Sequence, residues 1–489
     1  MSHAAYDLVV IGSGPAGQKA ALCAAKLGRR VAIIDRREMI GGVCIHTGTI
    51  PSKAIREAVL HLTAFNERRM YGDGYAVKHD ITMADLLYRC HHVVRNETDV
   101  IHSQMRRNGV SVFYGTATFV SPHTVNVTRH ERGTEGTLEI HGQNFLIAVG
   151  TEPARPSTVP FTPERVIDSN ELLTLRELPR SIIIVGGGVI GTEYASMLAA
   201  VGVRVTLVES RSRLLEFVDE EIVELLQFRL RDTGVRLRLG ESVAAIDLVD
   251  DHVEVTTRSG KRILAQMLLY AIGRQGATAN LGLDAAGLTA DERGRLKVNE
   301  YYQTAVPHIY AAGDVIGFPA LAATSMEQGR LAACHMFRQL SEPPQTLFPY
   351  GIYTIPEISM VGATEQSLTS QNIPYECGIA RYREVARGHL ISDPHGMLKL
   401  IFHQESRRLL GVHAIGTGAT EIVHIGQTCM AAGLPIDYFV ETVFNYPTLA
   451  EAYKIAALDG INRVRPARTI TLPDEPKALS PPAALPHAA

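Results

Sequence analysis

Two stretches of this 489-residue chain share one pattern: LVVIGSGPAG at 8–17 and IIIVGGGVIG at 182–191. Each opens with an apolar run of the kind a buried strand shows, passes through closely spaced glycines and enters a helix-forming run. After the first, Ala16 to Leu27 reads as an Ala-rich helix stopped at Gly28, and Arg30 to Asp35 (RVAIID) as a second strand. After the second, Ile190 to Val201 reads as a helix stopped at Gly202, and Val203 to Glu209 (VRVTLVE) as the strand. The spacing repeats as well, since 35 − 12 and 209 − 186 both give 23. Strand, glycine turn, helix and strand, with an acid about 20 residues on, is the context that makes GxGxxG a dinucleotide fingerprint. Gly12, Gly14 and Gly17, and again Gly186, Gly188 and Gly191, divide the work: a tight turn, close approach to a pyrophosphate at the helix N-terminus, and close helix–strand packing. Asp35 and Glu209 would each accept hydrogen bonds from a ribose. Two such sites in one chain imply a flavin and a nicotinamide held face to face, and therefore hydride transfer.

The rest of the chain fits around the two motifs. FLIAVGT (145–151) reads as a strand ending at Gly150, followed by a Pro-rich linker over 152–163. LLYAIGR (268–274) ends a second crossover at Gly273, and TAVPHIYAAGD (304–314) delivers Gly313 and Asp314 at a strand's carboxyl end, where open α/β sheets bind ligands. A Pro-containing hinge lies at 341–349, and 351–460 alternates short strands and helices without a fingerprint. From 465 onward the chain is Pro-rich and expected to be disordered. The expected fold class is α/β: two Rossmann-like dinucleotide-binding domains and an α+β C-terminal domain. The first comprises 1–150 and 271–345, the second 151–270, the third 346–463, and a tail covers 464–489.

Composition narrows the function classes. With 46% apolar and 20% charged residues, 42 Gly and 24 Pro, the chain is neither disordered nor fibrous. Its 48 basic residues against 51 acidic ones give a net charge of −3, with no basic surplus for nucleic acid or anionic lipid. No apolar run reaches membrane-spanning length, no export signal is legible at the amino terminus, and six scattered cysteines make no disulfide framework; a cytoplasmic protein without membrane or nucleic-acid partners is expected. The pair Glu421 and His424 has helical i,i+3 spacing but no legible third ligand, so no metal is expected.

GGVCIHTGTIPSK (41–53), both fingerprints, TAVPHIYAAGD and FNYPTLAEAY (444–453) together resemble the flavin-dependent pyridine nucleotide disulfide oxidoreductase superfamily. Over 5–463 the chain more closely resembles the soluble, Si-specific pyridine nucleotide transhydrogenases within it. The resemblance implies FAD contacts at Gly12, Gly14, Gly17, Asp35, Arg36, Gly41, Gly42, Val43 and Cys44, with Asp314 on the ribityl chain. It places Lys53 and Glu193 beside the reactive flavin nitrogen, where a lysine favours the anionic reduced ring and the acid holds the lysine. It also implies a homodimer, or a larger homo-oligomer, in which Tyr446 and Glu451 act across the interface.

Two departures from the superfamily's disulfide reductases select among its activities. Their segment carries two cysteines five apart; here Cys44 is present and the second position is Thr49, so no thiol relay can form. Their histidine before the C-terminal proline is Tyr446, a poor acid and base at neutral pH, although Glu451 remains. Both changes remove thiol exchange and leave the flavin and nicotinamide halves. The expected reaction is ping-pong hydride transfer from NADPH to NAD+ through FAD. The alternatives are a dihydrolipoamide dehydrogenase-like or other disulfide reductase or diaphorase, and a nucleotide-sensing flavoprotein without turnover. Glu209 suits the free 2′-hydroxyl of NAD and repels the 2′-phosphate of NADP, while Arg211 and Arg213 supply compensating charge.

Overall fold

The computed structural model describes residues 5–72, 74–131, 134–339 and 347–464. Both motifs fold as their glycine patterns require. The first forms Ala5–Ile11, Pro15–Lys26 and Val31–Asp35; the second forms Ser181–Val185, Val189–Ala200 and Arg204–Glu209. In each the two strands pair in parallel, Val10 opposite Ile33 and Val205 opposite Ile182, so the connection must cross over through the helix. Gly12 has φ +100°, and a Cβ there would lie 2.3 Å from the Ala148 carbonyl oxygen; one on Gly17 would lie 1.9 Å from the Gly12 oxygen. The second motif repeats both constraints at Gly186 (φ +113°) and Gly191, whose Cβ would lie 2.0 Å from the Gly186 oxygen.

Around the first motif, Ser111–Tyr114, Val31–Asp35, Ala5–Ile11, Thr134–Ile147 and Ile309–Ala311 form a parallel sheet, which Thr124–Glu131 and Thr116–Ser121 extend in antiparallel fashion from the first half of Thr134–Ile147. Around the second, Arg236–Leu239, Arg204–Glu209, Ser181–Val185, Met267–Tyr270 and Val166–Ile167 are all parallel. The stretch expected to be a plain linker begins instead with a strand: Thr151–Pro153 pairs with Arg274–Gly276, so the chain leaves the first sheet and returns to it side by side. Arg274 fixes this crossing by donating to the Thr151 hydroxyl and carbonyl at 2.8 and 2.6 Å.

A third, antiparallel sheet runs Tyr350–Ile352, Ile358–Gly362, Leu409–Ile415, Met397–His403, Tyr375–Arg381. Helices Ala419–Ala431 and Glu451–Val464 share its apolar core through Val423, Tyr453 and Ala456. The last helix continues through Val464, the first residue of the expected tail; the rest of that tail, 465–489, and residues 341–346 of the expected hinge lie outside the described residues.

Lys399, on the third sheet, is fully buried. Its ammonium donates to Asp219 at 2.8 Å and Glu365, and pairs with Glu221 at 3.0 Å, linking the helix Glu220–Asp232 of the second unit to the third. Burial disfavours the Asp219 carboxylate, but the charges of His413 and Lys399 outweigh it and hold the group below the usual carboxylate range. A carboxyl so depressed contributes stability at neutral pH that is lost as pH falls through its folded-state pKa. Lys399→Met strands the buried Asp219 carboxylate beside the half-buried Glu221 and Glu365 and is expected to cost about 3–5 kcal/mol, read as a lowered denaturation midpoint; adding Asp219→Asn should recover part of the loss. A midpoint unchanged in Lys399→Met would contradict this account of the junction.

Candidate functional site

A cavity of about 900 Å³ lies between the two motifs, at the carboxyl ends of the first sheet's parallel strands. It is lined by Gly12, Gly14, Asp35, Arg36, Gly42, Val43, Cys44, Lys53, Gly150, Gly313 and Asp314, and from the second unit by Glu193. Residues more than 250 positions apart thus meet because the strands that carry them end at one level.

The acid that closes each motif reaches back to its glycine turn. Asp35 accepts from the Ser13 backbone N–H at 2.7 Å and the Ser13 hydroxyl at 2.6 Å through one oxygen, and from the Arg36 N–H through the other. Burial pushes the Asp35 carboxyl up against these bonds. Glu209 makes the same contact, accepting from the Gly187 N–H at 2.5 Å. Burial again disfavours the charge, yet the Arg211 side chain, the Arg211 N–H and the Gly187 N–H override it, and the Glu209 pKa is held down to about 2.

The first cradle fits a dinucleotide. The N-terminal turn of Pro15–Lys26 opens into the cavity beside Gly14, where no atom lies within 4 Å of an added Cβ. Gly42 approaches the Gly14 Cα so closely that its own Cβ would lie 2.8 Å away. Open backbone at a helix N-terminus suits a pyrophosphate, and Asp35, at the neighbouring strand end, suits a ribose. Asp314 faces the same cavity, its carboxyl raised by burial and lowered in part by Arg274 and Ser325.

Where the units meet, the Lys53 ammonium, carried on Thr49–Thr63, donates to both Glu193 oxygens at 2.9 Å. Glu193 sits on the second motif's helix with its side chain 4% exposed, and its Oε1 also accepts from the Tyr353 N–H at 2.8 Å. Lys53 stands 4.9 Å from the Tyr353 ring centroid. The three units therefore converge on one fixed positive charge. Beside it, burial raises the Cys44 thiol, offset in part by a hydrogen bond with the Thr49 side chain and by the charge of Lys53. The group facing that sulfur is a hydroxyl, and Cys44 is a free cysteine.

The remaining expected residues lie outside this cavity. Gly17 and Gly191 are packing positions, and Gly41 is a turn with φ +104° whose N–H donates to the Ser13 hydroxyl. Gly186, Gly188, Glu209, Arg211, Arg213 and Gly273 belong to the second unit, in and around its own motif, whose helix reaches the cavity wall at Val189 and Ile190. There Arg211 forks onto Glu209 at 2.9 and 2.8 Å, whereas Arg213 turns away to the Glu216 carbonyl and Glu220. Tyr446 is 71% exposed, and one Glu451 oxygen is buried without a hydrogen-bond partner. His424 accompanies Gln427, not Glu421, at 2.7 Å. The sequence pattern does not mark Ser13, Thr151, Arg274 or Tyr353; for Ser13 alone, its place inside the glycine turn is a signal.

Residues 6–329 match the family model described as Pyridine nucleotide-disulphide oxidoreductase, and residues 348–457 match that family's dimerisation domain. The chain belongs to this family. Among curated relatives of this pyridine nucleotide-disulphide oxidoreductase, a "Soluble pyridine nucleotide transhydrogenase" of Mycobacterium tuberculosis is 55% identical over 94% of this chain and 98% of its own. One of the same name from Yersinia enterocolitica is 46% identical over 94% and 99%. The solved structure of the HOCl-induced flavoprotein disulfide reductase RclA from Escherichia coli superposes with a TM-score of 0.83 at 30% identity, over 93% of this chain and 99% of that one. Among the described residues no helix is long and apolar enough to cross a membrane.

Proposed function

We propose that this chain is an FAD-dependent transhydrogenase that passes hydride between NADPH and NAD+. The observation that carries the reading is the pairing at the junction: Lys53 and Glu193 are locked together, while the sulfur of Cys44 faces Thr49 rather than a second sulfur. FAD, when bound, supplies the two-electron acceptor and donor that disulfide exchange would otherwise share. Gly12, Gly14, Gly17, Gly41, Gly42, Val43, Cys44 and Gly150 shape its cradle, Asp35 and Arg36 take the adenosine end, and Gly313 with Asp314 takes the ribityl chain. Lys53 holds a positive charge at the isoalloxazine and Glu193 holds Lys53. Gly186, Gly188, Gly191 and Gly273 shape the nicotinamide nucleotide groove. The relatives named as transhydrogenases support the same reaction.

One groove for two nucleotides makes them bind in turn, so plots of rate against NADPH at several NAD+ concentrations should give parallel double-reciprocal lines. Intersecting lines would contradict this. The same groove must accept both ribose forms, and Arg211 answers Glu209: its guanidinium neutralises the carboxylate when the 2′-position is a hydroxyl and offers a partner to a 2′-phosphate. Arg211→Ala should raise KM for NADPH by about 10- to 100-fold, with NADH changed far less; Arg213, tied to Glu220, adds charge at longer range. An equal change for both nucleotides would assign the discrimination elsewhere.

Residues 1–150 with 271–345 form the FAD-binding domain in this reading, 151–270 the NAD(P)-binding domain and 346–463 the dimerisation domain. The working unit is a homodimer or a larger homo-oligomer in which the exposed Tyr446 and the half-buried Glu451 serve the partner's site. Its place is the cytoplasm, where both nucleotides are dissolved.

A further inference from the structure

Two sulfurs outside the site touch. Cys23 near the end of Pro15–Lys26 and Cys334 near the end of Ala322–Met336 bring their Sγ atoms to 3.8 Å, although 311 residues separate them in sequence. Their helices are pressed together further along: a Cβ on Gly329 would lie 2.0 Å from the Ala16 carbonyl oxygen. Cys23 is half-buried, which gives a small oxidant access, and Cys334 is 7% exposed. The Arg330 guanidinium stands 3.7 Å from the Cys334 sulfur, and its charge with that of Lys26 favours thiolate at Cys23 against the burial that raises this thiol to about 11. Glu327 is the acid that faces Arg330. The pair is distinct from Cys44, whose sulfur faces the Thr49 side chain.

We propose that Cys23 and Cys334 form a reversible disulfide under hydrogen peroxide, stapling the two helices that wall the cofactor cavity. One thiolate attacks the peroxide O–O bond and, after proton uptake, leaves a sulfenic acid and water; the other sulfur displaces the sulfenic hydroxyl, which departs as a second water. Two thiols and one peroxide give one disulfide and two waters, sulfur being oxidised and peroxide oxygen reduced. The sulfurs must close from 3.8 Å to about 2.05 Å. The raised Cys23 thiol makes the reaction slow, a response to sustained oxidant. The staple bears on the cavity because Pro15–Lys26 starts directly after Gly14 at the cavity wall, and Gln328 on the other helix accepts from the Gly313 N–H at 2.8 Å. This second half rests on the FAD reading above; the disulfide itself does not.

The test exposes the purified holoenzyme to hydrogen peroxide, blocks remaining thiols and maps peptides without reductant, then follows flavin release in dilute guanidinium. Expected are a Cys23–Cys334 linked peptide, removed by dithiothreitol and absent from Cys23→Ser, and flavin release about tenfold slower in the oxidised wild type. Both cysteines recovered as blocked thiols would overturn the disulfide. A linked peptide with unchanged flavin release would overturn the staple's effect on the cradle, and a protein that carries the link but never holds flavin would overturn the FAD reading alone.

Discussion

Lys53→Met should slow bleaching of the bound flavin by NADPH by about 10²- to 10³-fold while leaving flavin content near that of the wild type. Lys53 is not needed to close the cradle: the backbone around Gly12, Gly14 and Gly42 and the Asp35 carboxylate do that. What it contributes is a single positive charge, held by two 2.9 Å bonds to a carboxylate that is itself fixed by the Tyr353 N–H. A charge already in position costs no reorganisation when negative charge develops on the ring beside it. Glu193→Gln should act in the same direction and more weakly, since it loosens Lys53 without removing it. Transient absorbance at the flavin maximum checks both. A Lys53→Met protein reduced at the wild-type rate would show that this charge has no part in the reaction.

The internal repeat makes the second large prediction, a pair of substitutions that look alike and should fail differently. Gly17→Ala places a Cβ 1.9 Å from the Gly12 oxygen, and Gly191→Ala places one 2.0 Å from the Gly186 oxygen. In each the helix must move off the turn that presents its N-terminus. Gly17→Ala should therefore yield protein with flavin content reduced by about tenfold or more. Gly191→Ala should keep its flavin and lose NADPH binding to a similar degree. Flavin absorbance per mole of chain and nucleotide titration separate the outcomes. If Gly191→Ala lost flavin and kept nucleotide binding, the assignment of the two motifs would be reversed.

Much of this was legible because it is local. The glycine spacing fixed both turns, and the acids 23 residues on took the positions that spacing demanded, each within hydrogen-bond distance of its own turn. Within the two motifs the helix and strand bounds differ from the reading by about a residue, as frayed ends do, whereas the strand expected over 145–151 is the end of the longer Thr134–Ile147. What escaped was set by contacts between distant segments. Arg274 ties the crossing strands only because its side chain reaches Thr151, a contact across 123 positions that no local period announces. Tyr353 holds Glu193 through its backbone N–H, which any residue but proline could supply. The prolines of 152–163 point to a linker, yet its first residues belong to a strand, since a three-residue pairing leaves no periodic signature. Arg211 and Arg213 looked equivalent in sequence, and the fold aims only the first at Glu209.

The central claim, one flavin serving two nicotinamides without a thiol relay, is tested most directly by mixing the oxidised enzyme with NADPH in a stopped-flow instrument and then adding NAD+. The account predicts rapid loss of flavin absorbance with no long-wavelength thiolate band, followed by full recovery on NAD+ addition and formation of one equivalent of NADH. A flavin that NADPH leaves untouched would contradict it, as would a thiolate band at the two-electron stage, which would mean that a second sulfur reaches Cys44.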